Sequence, residues 1–175
     1  AGTNFVADGY KVVQKDGEYT VSKAEKEVVA IGSSLQDVIN NAEAGSVISI
    51  TKDMDLPTAV EVTKKVIIDL NGHNLTVKND TEGNGVFHVL EGGDLTIDGE
   101  GIIDGVGKNK WNLVIFAEAG KVTLNGGIYT NVNTQVLEED SDSDHFDLIY
   151  AKGTAQIVIN GGRYEGKTPA WLLNL

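Results

Sequence analysis

Apolar and polar residues alternate with a period of two along most of this chain, and the period lengthens to helical spacing in one short stretch. Alternation begins in Tyr10-Lys11-Val12-Val13 and Tyr19-Thr20-Val21, which are joined through Lys15-Asp16-Gly17-Glu18. An Asp-Gly pair between two such runs predicts a β-hairpin, because both residues tolerate the positive φ angles of a two-residue turn. The polar stretch over 22–27 predicts a linker or a chain crossing, which places a hairpin and linker segment at 1–27 and the main domain at 28–175. Beyond it, Leu35, Val38, Ile39 and Ala42 recur at helical spacing, with Ser33 or Ser34 to cap the start and Gly45 to stop it. One amphipathic helix of about three turns is predicted. After Gly45 the period returns to two, in Val47-Ile48-Ser49-Ile50, Ala59-Val60-Glu61-Val62 and Val66-Ile67-Ile68-Asp69-Leu70, and no second helix is predicted.

The strand pattern then repeats. Ile68-Asp69-Leu70-Asn71-Gly72-His73-Asn74-Leu75, Leu95-Thr96-Ile97-Asp98-Gly99-Glu100-Gly101-Ile102, Val122-Thr123-Leu124-Asn125-Gly126-Gly127-Ile128-Tyr129 and Ile157-Val158-Ile159-Asn160-Gly161-Gly162-Arg163-Tyr164 superimpose as strand, Asx-Gly turn, strand. Leu70, Ile97 and Leu124 are spaced by 27 residues, and Leu124 to Ile159 by 35, which implies an eight-residue insertion. A second strand repeats as Gly85-Val86-Phe87-His88-Val89, Asn112-Leu113-Val114-Ile115-Phe116 and Asp147-Leu148-Ile149-Tyr150-Ala151. Several short strands in each repeat of this length predict the coils of a β-solenoid, each burying its apolar face only by stacking on the next. The alignment predicts two inward columns, one of Leu70, Ile97, Leu124 and Ile159, the other of Leu75, Ile102, Tyr129 and Tyr164. An open solenoid end exposes backbone donors, so the predicted helix is assigned as the N-terminal plug.

Composition narrows the choice of partners. The chain has 175 residues, enough for one main domain, and its 21 Gly, 2 Pro and 6 % aromatic content suit short strands and tight turns better than a helical bundle. With 26 acidic against 14 basic residues, the net charge of −12 repels phosphate backbones and anionic headgroups, which excludes nucleic acid as a partner. Arg163 is the single arginine, leaving little for bidentate capture of anionic substrates. The absence of cysteine removes disulfides, thiolate nucleophiles and Cys-based metal sites. No run approaches 18 apolar residues, so membrane insertion is not expected, and no leader opens the sequence. The start at Ala1, without Met, suggests a processed or excised piece of a longer protein.

The residues Val29-Ala30-Ile31, Leu35-Gln36-Asp37-Val38-Ile39-Asn40-Asn41-Ala42, Ile67 to Leu75 and the repeated Asn-Gly-Gly resemble pectate-lyase-like right-handed parallel β-helix modules. Similar modules occur in secreted and cell-wall proteins of gut bacteria, and in virion surface proteins of their phages such as head fibres, capsid decorations and tail spikes. The resemblance covers 28–175 and is more specific for fold than for activity. It implies an all-β chain, a right-handed parallel β-helix with an N-terminal capping helix and a small N-terminal β-hairpin. Asn4-Phe5-Val6-Ala7-Asp8-Gly9-Tyr10-Lys11-Val12-Val13 resembles a motif that usually closes such a module after its last coil, yet here it precedes the helix.

Candidate sites are few. The column Asn71, Asp98, Asn125 and Asn160 offers four aligned oxygen-bearing side chains, but stacked Asx residues at turns bond each other and the local backbone. Enzymes of the resembling family imply clustered carboxylates for Ca²⁺ with an arginine or lysine base, or paired Asp residues for hydrolysis. Asp69, Asp98 and Asp104 are the candidates for a carboxylate pair; their expected role is at turns and on the surface, and Arg163 has no matching acid motif. The acidic tract over 138–144, with Asp140, Asp142 and Asp144, begins like a calcium loop, but His145 stands where Gly is needed and Ala151 where Glu is needed. A solvated loop is expected there. His73, His88 and His145 lack zinc-ligand spacing. Trp111 and Trp171 could each stack on a sugar but are read as packing residues. No catalytic, cofactor-binding or metal residue is therefore assigned, and no cofactor.

The expected role is non-catalytic, a structural or binding module displayed outside the cell on a virion or bacterial surface. Its expected partners are capsid or surface-assembly proteins, with host-surface glycan as a candidate ligand, and it is expected to form a homo-oligomer or to occupy a symmetric assembly. A carbohydrate-active enzyme and a glycan-binding adhesin on the same fold stand as alternatives.

Overall fold

The computed structural model describes residues 7, 10–23, 26–28, 33–80, 82–107, 113–134, 147–166 and 173–174. The hairpin forms as predicted, β1 (Tyr10–Lys15) pairing antiparallel with β2 (Glu18–Lys23). Asp16 and Gly17 both take positive φ, at 53° and 84°, which matches the twist of the two strands. The stretch read as a crossing is more ordered than predicted, since β2 runs to Lys23 and β3 (Lys26–Val28) pairs in parallel with β4 (Ser46–Ser49).

Helix α1 (Leu35–Asn41) starts where predicted, its cap Ser34 accepting the Asp37 N–H at 3.0 Å, and buries Leu35 and Ile39. It is seven residues long, two turns rather than three. Ala42 is already extended, at φ −65° and ψ 147°, so Gly45 shapes the turn into β4 instead of ending the helix. The free carbonyls at its C-terminus are met from outside the helix: Lys64 Nζ donates to the Asn40 and Ala42 oxygens at 2.8 and 2.9 Å. A cation there also complements the helix dipole.

Successive turns of the chain then stack. They comprise β4, β5 (Met54–Leu56) and β6 (Val60–Val62), then β7 (Lys65–Asp69), β8 (Leu75–Asp80) and β9 (Phe87–Val89). Next come β10 (Asp94–Asp98), β11 (Ile102–Gly107) and β12 (Ile115–Ala117), then β13 (Lys121–Leu124), β14 (Ile128–Thr130) and β15 (Ile149–Ala151). The last coil holds β16 (Gln156–Ile159), β17 (Arg163–Glu165) and β18 (Leu173–Asn174). The first face is the sheet β3-β4-β7-β10-β13-β16 and the second is β5-β8-β11-β14-β17. The third is divided into β6-β9 and β12-β15-β18. Every pairing within these faces is parallel, an arrangement compatible with an all-β parallel solenoid. Strand β5, around Met54, was not predicted.

Inward residues fill one core. Ile48, Ile68, Ile97 and Leu124 are fully buried and lie in register, with Ile159 above them 39 % exposed at the last coil. The predicted columns need correction at their lower ends. Ile97 pairs with Ile68, not with Leu70, so that spacing is 29 residues, while the spacings of 27 to Leu124 and 35 to Ile159 hold. In the second column Ile103, not Ile102, stands between Leu75 and Tyr129, with Tyr164 next. On the third face Ile115, not Val114, pairs with Ile149.

The first of these errors has a geometric origin at Asn71-Gly72. Both residues take positive φ, at 51° and 84°, and His73 N–H closes the turn on Leu70 O at 2.9 Å. The later corners are built differently. At Asn125-Gly126-Gly127 a Cβ on Gly126 would lie 2.6 Å from Gly99 O on the coil below, and Gly127 has φ 86°. The first glycine is thus required by close backbone approach and the second by its dihedral. Tyr129 and Tyr164 complete these corners, each hydroxyl donating to the carbonyl of the first corner glycine, Gly126 at 2.8 Å and Gly161 at 2.7 Å. Their rings stack at 5.1 Å, and burial raises both phenol pKa values.

Candidate functional site

The Asx column is a hydrogen-bonded ladder. Asn160 Nδ2 donates to Asn125 Oδ1 at 2.8 Å, and Asn125 Nδ2 donates to Asp98 Oδ1 at 2.7 Å. Asn71 is not a rung: its Nδ2 donates to Ile50 O, and the residue in register with Asp98 is Asp69. Asp69 Oδ1 in turn accepts the Asn71 N–H at 3.1 Å. These side chains close turns and tie coil to coil, as the chemistry of stacked Asx residues predicts.

Asp104 lies on another sheet from Asp69 and Asp98, outward on β11. Its Oδ2 accepts from Asn133 Nδ2 at 3.2 Å, while Oδ1 is buried and has no hydrogen-bond partner among the described residues. Burial holds its pKa above the usual carboxylate range, partly offset by the Asn133 bond. Arg163 is exposed and paired with Glu165. His73 Nδ1 lies 3.4 Å from Asp53. The acidic tract with Asp140, Asp142 and Asp144, together with His145, Trp111 and Trp171, lies outside the described residues. Among the described residues no group of three or more His, Cys, Asp or Glu side chains is arranged to hold a metal ion, and no helix is long and apolar enough to cross a membrane.

The structure instead brings together side chains that the sequence left scattered. On the outside of the third face, His88, Phe116 and Tyr150 stack ring on ring, at 4.7 and 5.4 Å between centroids with interplanar angles of 4° and 12°. Below His88 in the same column comes Glu61, which has no ring to continue the stack. A cleft of about 380 Å³ opens there, between helix α1 and the segment that leads into β9. Its lining includes Gln36, Asn40, Glu61, Glu82, Asn84 and His88.

Each wall is held in place. Gln36 acts as a surrogate strand for β6, its Oε1 accepting Glu61 N–H at 2.7 Å and its Nε2 donating to Glu61 O at 3.0 Å. Nε2 also donates to Asn40 Oδ1 at 3.0 Å. On the opposite wall the buried Asp80 carboxylate accepts the backbone N–H groups of Glu82, Gly83, Asn84 and Gly85, at 2.8 to 3.2 Å. That fixes the loop carrying Glu82 and Asn84, whose side chains bond each other at 3.1 Å.

His88 is the most constrained member, with its side chain only 10 % exposed. Its Nε2 lies 2.8 Å from Glu118 Oε2, and an ionised carboxylate only accepts, so Nε2 carries the proton. Nδ1 is buried and unpartnered among the described residues. Lys152 Nζ stands 3.8 Å from the other Glu118 oxygen. The residues missed in the sequence are Gln36, Glu118, Phe116 and Tyr150. A one-residue shift of the Phe116 strand against its neighbours would have aligned the three rings. No protein-family model, curated protein or solved structure matches this chain.

Proposed function

We propose that this chain is a right-handed parallel β-helix that serves as a non-catalytic structural or binding module, displayed outside the cell on a phage virion or a bacterial surface. The observation that carries this reading is the set of side-chain ladders running from coil to coil: Asp98, Asn125 and Asn160 at one corner and Tyr129 on Tyr164 beside it. Such ladders stiffen a stack, and stiffness is what a spacer or decoration needs. Handedness follows from general stereochemistry, since parallel strand crossovers are right-handed in about 98 % of cases. The net charge of −12 favours capsid or surface-assembly proteins over nucleic acid as partners. In this reading Asp98 works in a ladder, and Asp104, on a different sheet, is held by Asn133.

The test is quantitative. Purified virions or cell walls should contain the protein in stoichiometric copy number, and the purified chain should release no reducing ends from neutral or acidic glycans. Trace copy number together with sugar release abolished by Asp98→Asn or Asp104→Asn would overturn the proposal in favour of a carbohydrate-active enzyme.

A further inference from the structure

We infer that Asn160 is a site of spontaneous deamidation, the point at which the corner ladder of Asp98, Asn125 and Asn160 is first modified. Water is the only co-reactant, so the site is the same wherever the module is displayed.

Asparagine is labile where glycine follows it, because no Cβ hinders the glycine nitrogen from reaching the side-chain carbonyl. The chain holds four such pairs, Asn71-Gly72, Asn84-Gly85, Asn125-Gly126 and Asn160-Gly161. In the reaction the glycine nitrogen gives up its proton and bonds to the asparagine Cγ, the Cγ–Nδ2 bond breaks, and ammonia leaves. Water then opens the succinimide at either carbonyl, giving aspartate or isoaspartate. Amide and water are consumed; carboxylate and ammonium are formed. A fold slows this chemistry by holding the glycine N–H, by holding the side-chain amide, or by crowding the corner.

Two pairs are protected at the nucleophile. Gly72 N–H donates to Glu100 O at 2.7 Å, and Gly85 N–H to the buried Asp80 carboxylate at 2.8 Å. Asn125 is protected at its side chain. Ionised Asp98 only accepts, so Asn125 turns Nδ2 toward it and Oδ1 toward Asn160, and both ends of the amide are held. Gly161 also lies over that corner, where a Cβ would stand 2.5 Å from Asn125 O. Asn160 has the least protection. It is exposed, and a single bond holds its amide, Nδ2 to Asn125 Oδ1, with Oδ1 unpartnered among the described residues. Gly161 N–H reaches Leu124 O at 3.2 Å, an oxygen that already accepts the Asn160 N–H at 2.8 Å. Strands β16 and β17 end their sheets, so among the described residues no further strand lies over this corner.

The ladder then passes the change to its neighbour. A carboxylate at position 160 faces Asn125 Oδ1, acceptor against acceptor, so that rung is lost and Asn125 is held by Asp98 alone. Gly126 N–H has no acceptor among the described residues, so the freed amide of Asn125 sits beside an unbound nucleophile. Asn125 therefore becomes more reactive once Asn160 has converted, whereas Asn71 and Asn84, which are not rungs, keep their own rates.

The experiment incubates the full chain in mildly alkaline buffer well below its Tm and follows each pair by peptide mapping with mass spectrometry, folded and in urea. In the folded chain Asn160 should convert at least about fivefold faster than Asn71, Asn84 or Asn125, because fewer hydrogen bonds must break before the attack. In urea the four rates should draw together. Asn160→Asp, which mimics the product, and Asn160→Ala, which removes the rung without adding charge, should each speed Asn125 by about threefold or more and leave Asn71 and Asn84 unchanged. Conversion of Asn71 or Asn84 ahead of Asn160 in the folded chain, the same ranking and spread in urea, or an Asn125 rate indifferent to both variants would overturn the inference.

Discussion

Truncating Leu124 to alanine tests the stack where it is best defined. Leu124 ends β13, is fully buried, and is held in register between Ile97 on the coil below and Ile159 on the coil above. Parallel ladders fix the strand spacing on both sides, so the core cannot close over the missing atoms, and the cost belongs in the upper part of the range for buried leucines. That is about 3–4 kcal/mol. Ile159 occupies the same column but is 39 % exposed at the last coil, so Ile159→Ala removes less buried surface and leaves no closed cavity. Its cost is about 1–1.5 kcal/mol. For a chain of this length each kcal/mol lowers Tm by roughly 2–4 °C, which gives a fall of roughly 6–16 °C for Leu124→Ala and less than about 6 °C for Ile159→Ala. Thermal unfolding followed by circular dichroism, with urea titration for ΔG, measures both. Equal losses at the two positions, or a loss under about 1 kcal/mol for Leu124→Ala, would refute the assignment of this column to the core and with it the register of the first face.

Gln36→Ala should cost about 1–2 kcal/mol and speed hydrogen exchange at the Glu61 amide in particular, because both backbone bonds of that residue to the Gln36 side chain disappear. Asn125→Asp sets a carboxylate against Asp98 where an amide now donates at 2.7 Å; it should cost about 1 kcal/mol at pH 7 and recover below about pH 4 as one of the two takes a proton, visible as Tm against pH. Burial raises the Asp104 pKa in the folded chain, so the protonated form is the one that folding favours: the stabilisation is complete below the ordinary carboxylate range and is lost as pH rises through the raised value. Asp104→Asn should therefore melt higher than the parent at pH 7, by less than about 1 kcal/mol because the group is half exposed and screened, and the gap should close below about pH 4.

Much of the stack was legible because its inward residues recur with unbroken alternation. Leu124 over Ile97, Tyr164 over Tyr129 and the Asp16-Gly17 turn needed only periodicity and turn chemistry to place. The lower register was not, because Asn71-Gly72 and Asn125-Gly126 share letters but not dihedrals. Asn71 is left-handed and the corner around it is long, with seven steps along the chain from Ile68 to Leu75 against six from Ile97 to Ile103 and five from Leu124 to Tyr129. An alignment that matches the dipeptide absorbs this difference into the strands, shifting the one before the corner by two and the one after it by one. The shift of two leaves the inward and outward alternation of the first strand intact, and the shift of one merely exchanges Ile102 for its neighbour Ile103, so a hydrophobic residue still falls in each inward position and the pattern gives no warning.

On the third face a shift of one is a different matter, and it explains why the cleft could not be read from the sequence. Aligning the Phe116 strand by its flanking residues sets His88 beside Ile115, which puts a buried apolar side chain in the outward column. The backbone shows where the extra residue enters: the N–H groups of Val86 and Phe87 both point at Val114 O, at 2.8 and 3.2 Å, so two residues oppose one, as at a bulge. The same doubling recurs one coil up, where Val114 and Ile115 both donate to Leu148 O. After the doubled contact Phe87 stands against Ile115 on the inside and His88 against Phe116 on the outside. Their stack ends on His88, beside a cleft whose walls are held by the Gln36 bonds to Glu61 on one side and by the Asp80 carboxylate on the other, so the ring column that periodicity misses is also the one that borders the cleft.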